Sequence, residues 1–315
     1  MREFVYFAGI CLVAIAVLSP LTGGTPALAG PRIVVSIKPI HSLAAAIMEG
    51  VAGPKLLLDG AASPHSYALK PSDATALNEA DAIVLVSRNL EVFLDSAIAS
   101  LPANAHVIEL ERTPGLRLLP VREGGLHGAA GEEDEEHEGH HHGGSFDVHF
   151  WLDPLNAIAI ARHLQHEFSA IDPSHAAQYQ ANAAKLEAAL YALDADLKAV
   201  LAGLKDKPFI VFHDVTQYFE TRYGLNSAGS ITLSPERAPG ARRLSEVRAR
   251  IEQSAAICVF SEPEFPPKLV QTLTLGTKAK RGVLDEVGAA IPAGPAQYFA
   301  LMRADAANLA GCLRP

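Results

Sequence analysis

The chain has 315 residues, of which 49% are hydrophobic and 19% charged, and a formal net charge of −9. That composition suits one large or two medium folded domains. No Lys/Arg-rich run is present, which excludes the electrostatic footprint of a nucleic-acid binder, and beyond the N-terminus no stretch approaches the roughly 18 apolar residues of a membrane span.

The N-terminus comes first. Arg2 supplies a positive start, residues 5–18 form an apolar run too short to span a bilayer comfortably, and Ala27-Leu28-Ala29 is an A-x-A cleavage site. Residues 1–29 therefore read as a cleaved secretory signal peptide, and the mature protein is expected to be soluble and exported. Cleavage leaves Cys258 and Cys312. An even pair in an oxidising compartment favours a disulfide, the alternative being two buried free thiols.

The mature chain then alternates strand and helix signals. Strands are expected at 32–37, 54–59, 82–87 and 105–110, with helices at 39–50, 70–80 and 89–101. An acidic, His-rich loop covers 121–148, with "EEDEEHEGHHHGG" at 132–144. Asp153 and Pro154 open a helix to residue 171 as N-cap and first helical position. Residues 174–204, rich in Ala, Leu, Lys, Glu and Gln and free of Gly and Pro until Gly203, predict one unusually long helix. Alternation resumes with strands at 208–212, 230–233, 256–260 and 282–285 and helices at 214–224, 240–254, 267–276 and 295–313.

The pattern predicts an α/β fold: two lobes of about four βα units, with mainly parallel sheets, joined by one long rigid helix. The divisions are 1–29 (signal peptide), 30–172 (N-terminal lobe), 173–204 (linking helix) and 205–315 (C-terminal lobe). In such sheets ligands bind at the carboxyl ends of strands, and between two lobes that means the cleft.

Of thirteen histidines, His163, His166 and His175 fall among polar helix neighbours, His106 begins a strand, and His41 follows the first strand as a satisfied polar residue. His65 in "DGAASPHSYALKPSD", His149 in "DVHFWLDP" and His213 in "FIVFHDVTQYF" each sit at a strand or loop end opening toward the same cleft. Asp285, in "RGVLDEVG", ends the expected last strand and could join them. Three imidazoles plus a carboxylate or water suit Zn2+, which takes nitrogen donors in a tetrahedron. Asp147 or Asp214 could orient a ligand imidazole. Histidine-rich tracts also bind metal, so His137, His140, His141 and His142 are expected to form an accessory, weaker metal-collecting loop.

"SIKPIHSL", "DGAASPHSYALKPSD", "VHFWLDP", "VFHD", "SPERAPGARRL" and "VFSEPEF", with the His-rich loop before "VHFWLDP", resemble the periplasmic zinc-binding proteins of ABC importers, the ZnuA-like family. The resemblance spans nearly all of the mature chain. It implies two (βα)4 lobes bridged by a rigid helix, metal in the interlobe cleft, His65, His149 and His213 as ligands, and a disulfide between Cys258 and Cys312. For the fourth ligand it implies Asp285 or water, since the acidic residue that some relatives carry before the first ligand histidine is here Pro64. It further implies a monomeric, non-enzymatic binding protein that delivers Zn2+ to a membrane permease.

Two other readings compete. Manganese or broad divalent-metal binding suits sites richer in carboxylate, and relatives that bind manganese resemble this chain less because they usually carry glutamate where His213 stands. A zinc hydrolase also uses three protein ligands, but no H-E-x-x-H or G-x-S-x-G pattern is present.

Overall fold

The alternating signals resolve into two separate parallel sheets. The structure, a computed structural model, describes residues 1, 30–101, 105–122, 125–126, 146–232, 235 and 237–315. The expected signal sequence and the histidines at 137, 140, 141 and 142 lie outside the described residues.

In the first sheet, β1 (Ile33–Val35) is central, flanked by β2 (Lys55–Leu56) and β3 (Ala82–Leu85), with β4 (His106–Glu109) beyond β3. All pairings are parallel, with Ile33 opposite Ala82 and Ala82 opposite His106. β1 and β3 are buried throughout, as their unbroken apolar sequences require of strands covered on both faces. The second sheet repeats the order: β5 (Pro208–Val211) lies between β6 (Asn226–Ser230) and β7 (Cys258–Ser261), with β8 (Lys280–Val283) on the far edge.

Helices α1 (Lys38–Ile47), α2 (Pro71–Glu79) and α3 (Asp95–Ala99) connect the first sheet, and α4 (Pro154–Ile171) follows the loop. Asp153 caps α4 by accepting the Leu155 N–H at 2.9 Å, and Pro154 sits where a missing N–H costs nothing. α5 (Ala176–Leu201) has 26 residues and is about 40 Å long. Its buried Leu186, Leu190, Leu193, Leu197 and Leu201 recur every three or four residues, one continuous apolar stripe. Along that stripe α5 packs on α4 and α1 of one lobe and on α9 (Gln297–Leu313) of the other. Between them α6 (Gln217–Tyr223), α7 (Ala241–Gln253) and α8 (Lys268–Thr274) complete the second lobe. Cys258 on β7 and Cys312 in the last turn of α9 form a disulfide. Among the described residues no helix is long and apolar enough to cross a membrane.

Several elements differ from expectation. The long helix begins at Ala176, after a tight turn at Pro173–His175, and ends at Leu201. The helix expected over 89–101 is a tight turn, Val92–Leu94, followed by the short α3. β6 and β8 lie earlier than their β-branched residues suggest: β6 is the small-residue run "NSAGS", ending where residue 230 was expected to begin a strand. Register with β5 decides this, pairing Pro208 with Asn226 and Val211 with Ser230. Gly229 is required there, because a Cβ would lie 2.7 Å from the Gly125 carbonyl oxygen.

Candidate metal centre

Parallel strands bring their carboxyl ends to one side of each sheet, and the two lobes present those ends to each other. His65 follows β2, His213 follows β5 and Glu286 follows β8, while His149 stands just before the tight turn Phe150–Leu152 that leads into α4. One donor atom from each of these four residues lies within 4.8 Å of the others. His149, His213 and Glu286 are buried and His65 half-buried.

The spacing can be tested against a metal. Four ligands at 2.0–2.1 Å in a tetrahedron stand about 3.3 Å apart. His65 Nε2 to His149 Nε2 is 3.3 Å, His149 Nε2 to Glu286 Oε2 is 3.5 Å, and His213 Nε2 to Glu286 Oε2 is 3.2 Å. Both Glu286 oxygens are buried without a hydrogen bond among the described residues, as is His213 Nε2. Polar atoms so placed are rare unless something else satisfies them. The donors therefore fit a small, borderline-soft cation.

Two carboxylates behind the imidazoles fix their orientation. His149 Nδ1 lies 2.7 Å from Asp147 Oδ1, and His213 Nδ1 lies 2.7 Å from Glu262 Oε2. When the histidines are neutral, these contacts hold the proton on Nδ1 and aim the Nε2 lone pair inward, the form a metal needs. Burial pushes the His213 imidazole down, but the Glu262 and Glu286 carboxylates outweigh it and leave it well above its ordinary range. Burial also works against the Glu286 carboxylate, yet the neighbouring His213, His149 and His65 hold it down to about 2. Glu264, lifted to about 9 by burial and by the Glu286 and Asp285 carboxylates, stays neutral and adds no repulsion.

Asp285 is a correction. It does not join the cluster. β8 ends two residues earlier than expected, so the residue after it that faces inward is Glu286. The Asp285 carboxylate instead accepts three backbone N–H groups, from Val287 at 3.1 Å, Gly288 at 2.6 Å and Ala289 at 2.7 Å. It folds the turn that presents Glu286. Of the two aspartates considered as orienting groups, Asp147 does so for His149, whereas Asp214 pairs with Arg122, which also binds Glu220 at 2.7 Å. Sequence reasoning does not reach Glu286 and Glu262, although both obey the strand-end rule: Glu286 adjoins Asp285, and Glu262 stands in "VFSEPEF" directly after β7. His41 binds the Pro54 carbonyl oxygen at 3.0 Å and His106 binds Glu167 at 2.8 Å, both away from the cluster.

A family profile described as zinc-uptake complex component A, periplasmic, matches residues 33–312. The high-affinity zinc uptake system protein ZnuA of Brucella abortus (strain 2308) is 45% identical over 311 residues, covering 91% of this chain and 93% of that protein. The protein of the same description from Yersinia pestis is 31% identical, covering 91% and 92%. A crystal structure of ZnuA superimposes with a TM-score of 0.76 at 26% identity, covering 90% of this chain and all of that one. A zinc-bound deletion mutant of ZnuA gives 0.74 at 25% identity, covering 91% and 99%. The fold, the four converging donors and these likenesses agree: the chain belongs to the periplasmic zinc-uptake component A family.

Proposed function

We propose that the protein captures Zn2+ in the periplasm, after export by its N-terminal signal, and delivers it as cargo to the membrane permease of an ABC-type importer. The observation that carries this reading is the cluster of three imidazoles and one carboxylate at tetrahedral spacing in the cleft. His65, His149, His213 and Glu286 are the proposed ligands. Relatives named for high-affinity zinc uptake support zinc as the ion. A set of three nitrogens and one oxygen favours zinc over manganese, whose sites are richer in oxygen donors. Four protein donors leave no position for an activated water, which argues for holding the ion rather than catalysis.

The test is zinc titration of the mature protein against a competing chelator, beside His149→Ala. Zinc should bind tightly with one central site. The variant should lose affinity by more than the roughly 10- to 100-fold typical of removing an outer partner. Equal affinity in both proteins would refute the assignment. Competition with Mn2+ on the same protein tests the selectivity.

A further inference from the structure

Glu286 is carried by the second lobe, but the turn that carries it is gripped by the first. The Trp151 indole N–H donates to the Glu286 carbonyl oxygen at 2.9 Å. Lys38, the first residue of α1, crosses the interface and places its ammonium on three acceptors of the same turn: the carbonyl oxygens of Gly288 at 3.4 Å, Ala289 at 2.9 Å and Ile291 at 3.1 Å. The Asp59 carboxylate completes the shell at 3.1 Å. From within the second lobe, the Gln297 side-chain amide donates to the Val287 carbonyl oxygen at 2.7 Å, and Asp285 holds the N–H groups of the same residues.

The place of Lys38 is unusual on two counts. Its side chain is only 4% exposed, whereas buried lysines are rare unless paired. It also stands in the first turn of a helix, where the macrodipole disfavours a cation. Neither cost is offset by a partner on its own helix. The partners that offset them are the Asp59 carboxylate of its own lobe and three carbonyl oxygens of the turn beneath Glu286.

We propose that Lys38 is a positioning residue of the metal site, which fixes the Glu286 carboxylate against the three histidines by clamping the Gly288, Ala289 and Ile291 carbonyls to the first lobe. The proposal rests on the reading of Glu286 as the fourth ligand. It makes that ligand's position conditional on contact between the lobes. Two imidazoles come from the first lobe, one from the second, and the carboxylate is steered into place by a lysine from across the cleft.

A double-mutant cycle tests it, using the mature chain, Lys38→Met and Glu286→Ala. Zn2+ affinity is read by chelator competition, the Co2+ form by visible absorption, and folding by thermal unfolding of the metal-free proteins. Lys38→Met should weaken zinc about tenfold, within the range for outer-shell partners, and shift the Co2+ bands in the direction that Glu286→Ala does. In the Glu286→Ala background, adding Lys38→Met should change affinity by less than about twofold, because residues acting through one another are not additive. A merely structural lysine would lower the melting temperature, leave the Co2+ bands in place and give losses that multiply; that result overturns the proposal. If Lys38→Met does not fold, Lys38→Gln takes its place in the cycle, since it fills the space without the charge and the third donor. If Glu286→Ala itself binds zinc like the wild type, the ligand assignment fails. If it weakens binding while the Lys38 variants do not, only the role of Lys38 falls.

Discussion

At the scale of single residues, the adjacent acids Asp285 and Glu286 divide two jobs that their chemistry would let either perform. Asp285 spends its oxygens on three amide N–H groups, while Glu286 keeps both oxygens free of hydrogen bonds among the described residues. Glu286→Ala should therefore cost zinc affinity through a lost ligand. Asp285→Asn, which sets an NH2 group against backbone N–H donors, should lower the melting temperature and weaken zinc less than Glu286→Ala does. Thermal unfolding and chelator competition on both variants check this. A second acid makes a different prediction. Burial lifts Glu91 from 4.5 to about 7, against hydrogen bonds from the Ser36 hydroxyl and the Ser87 and Val86 N–H groups. A carboxyl raised in the fold contributes stability that is complete below its unfolded value and is lost as pH rises through the folded one. Between pH 5 and 8 the stability of wild type relative to Glu91→Gln should thus fall by on the order of 3 kcal/mol, as measured by urea unfolding at each pH.

At the scale of elements, α9 is the piece that most needs an anchor. It closes the chain, lies across α1, α5 and β8, and carries Cys312 to Cys258 on β7. The bond closes a separation of 54 residues, which the chain-entropy model values at about 4 kcal/mol. Replacing both cysteines by alanine should lower stability by up to that amount in denaturant unfolding, and reductant should do the same to the wild type and nothing to the variant. Local signals give α4 in full, from its Asp-Pro start, and the presence of α5, though not its ends, from its unbroken run of helix formers. β6 and β8 were displaced because "NSAGS" and "KRGV" carry little strand propensity. They are strands because β5 and β7 offer hydrogen-bonding edges at that register, a tertiary cause that overrides propensity.

At the scale of the whole molecule, one apolar stripe on α5 serves both lobes, so the helix is packed along its length rather than bent at a free hinge. Lys38, Trp151 and Ser42 of the first lobe add hydrogen bonds to residues 286–295 of the second. Small movements are expected on binding, in contrast with hinge closure about a loop. Small-angle scattering of the mature protein with and without zinc should superimpose; a clear contraction on adding zinc would contradict the rigid bridge.

The sequence by itself determined the fold class, because alternating apolar runs and capped amphipathic segments are local patterns whose only compact arrangement is parallel sheets covered by helices. It also singled out His65, His149 and His213, since each ends a strand or opens a helix. Only the tertiary structure decided that Glu286 rather than Asp285 completes the cluster. Two neighbouring acids face different partners across one turn, and that turn is shaped by Asp285's own hydrogen bonds and by Lys38 and Trp151 from the other lobe. Contacts across about 250 positions of chain leave no trace in local spacing.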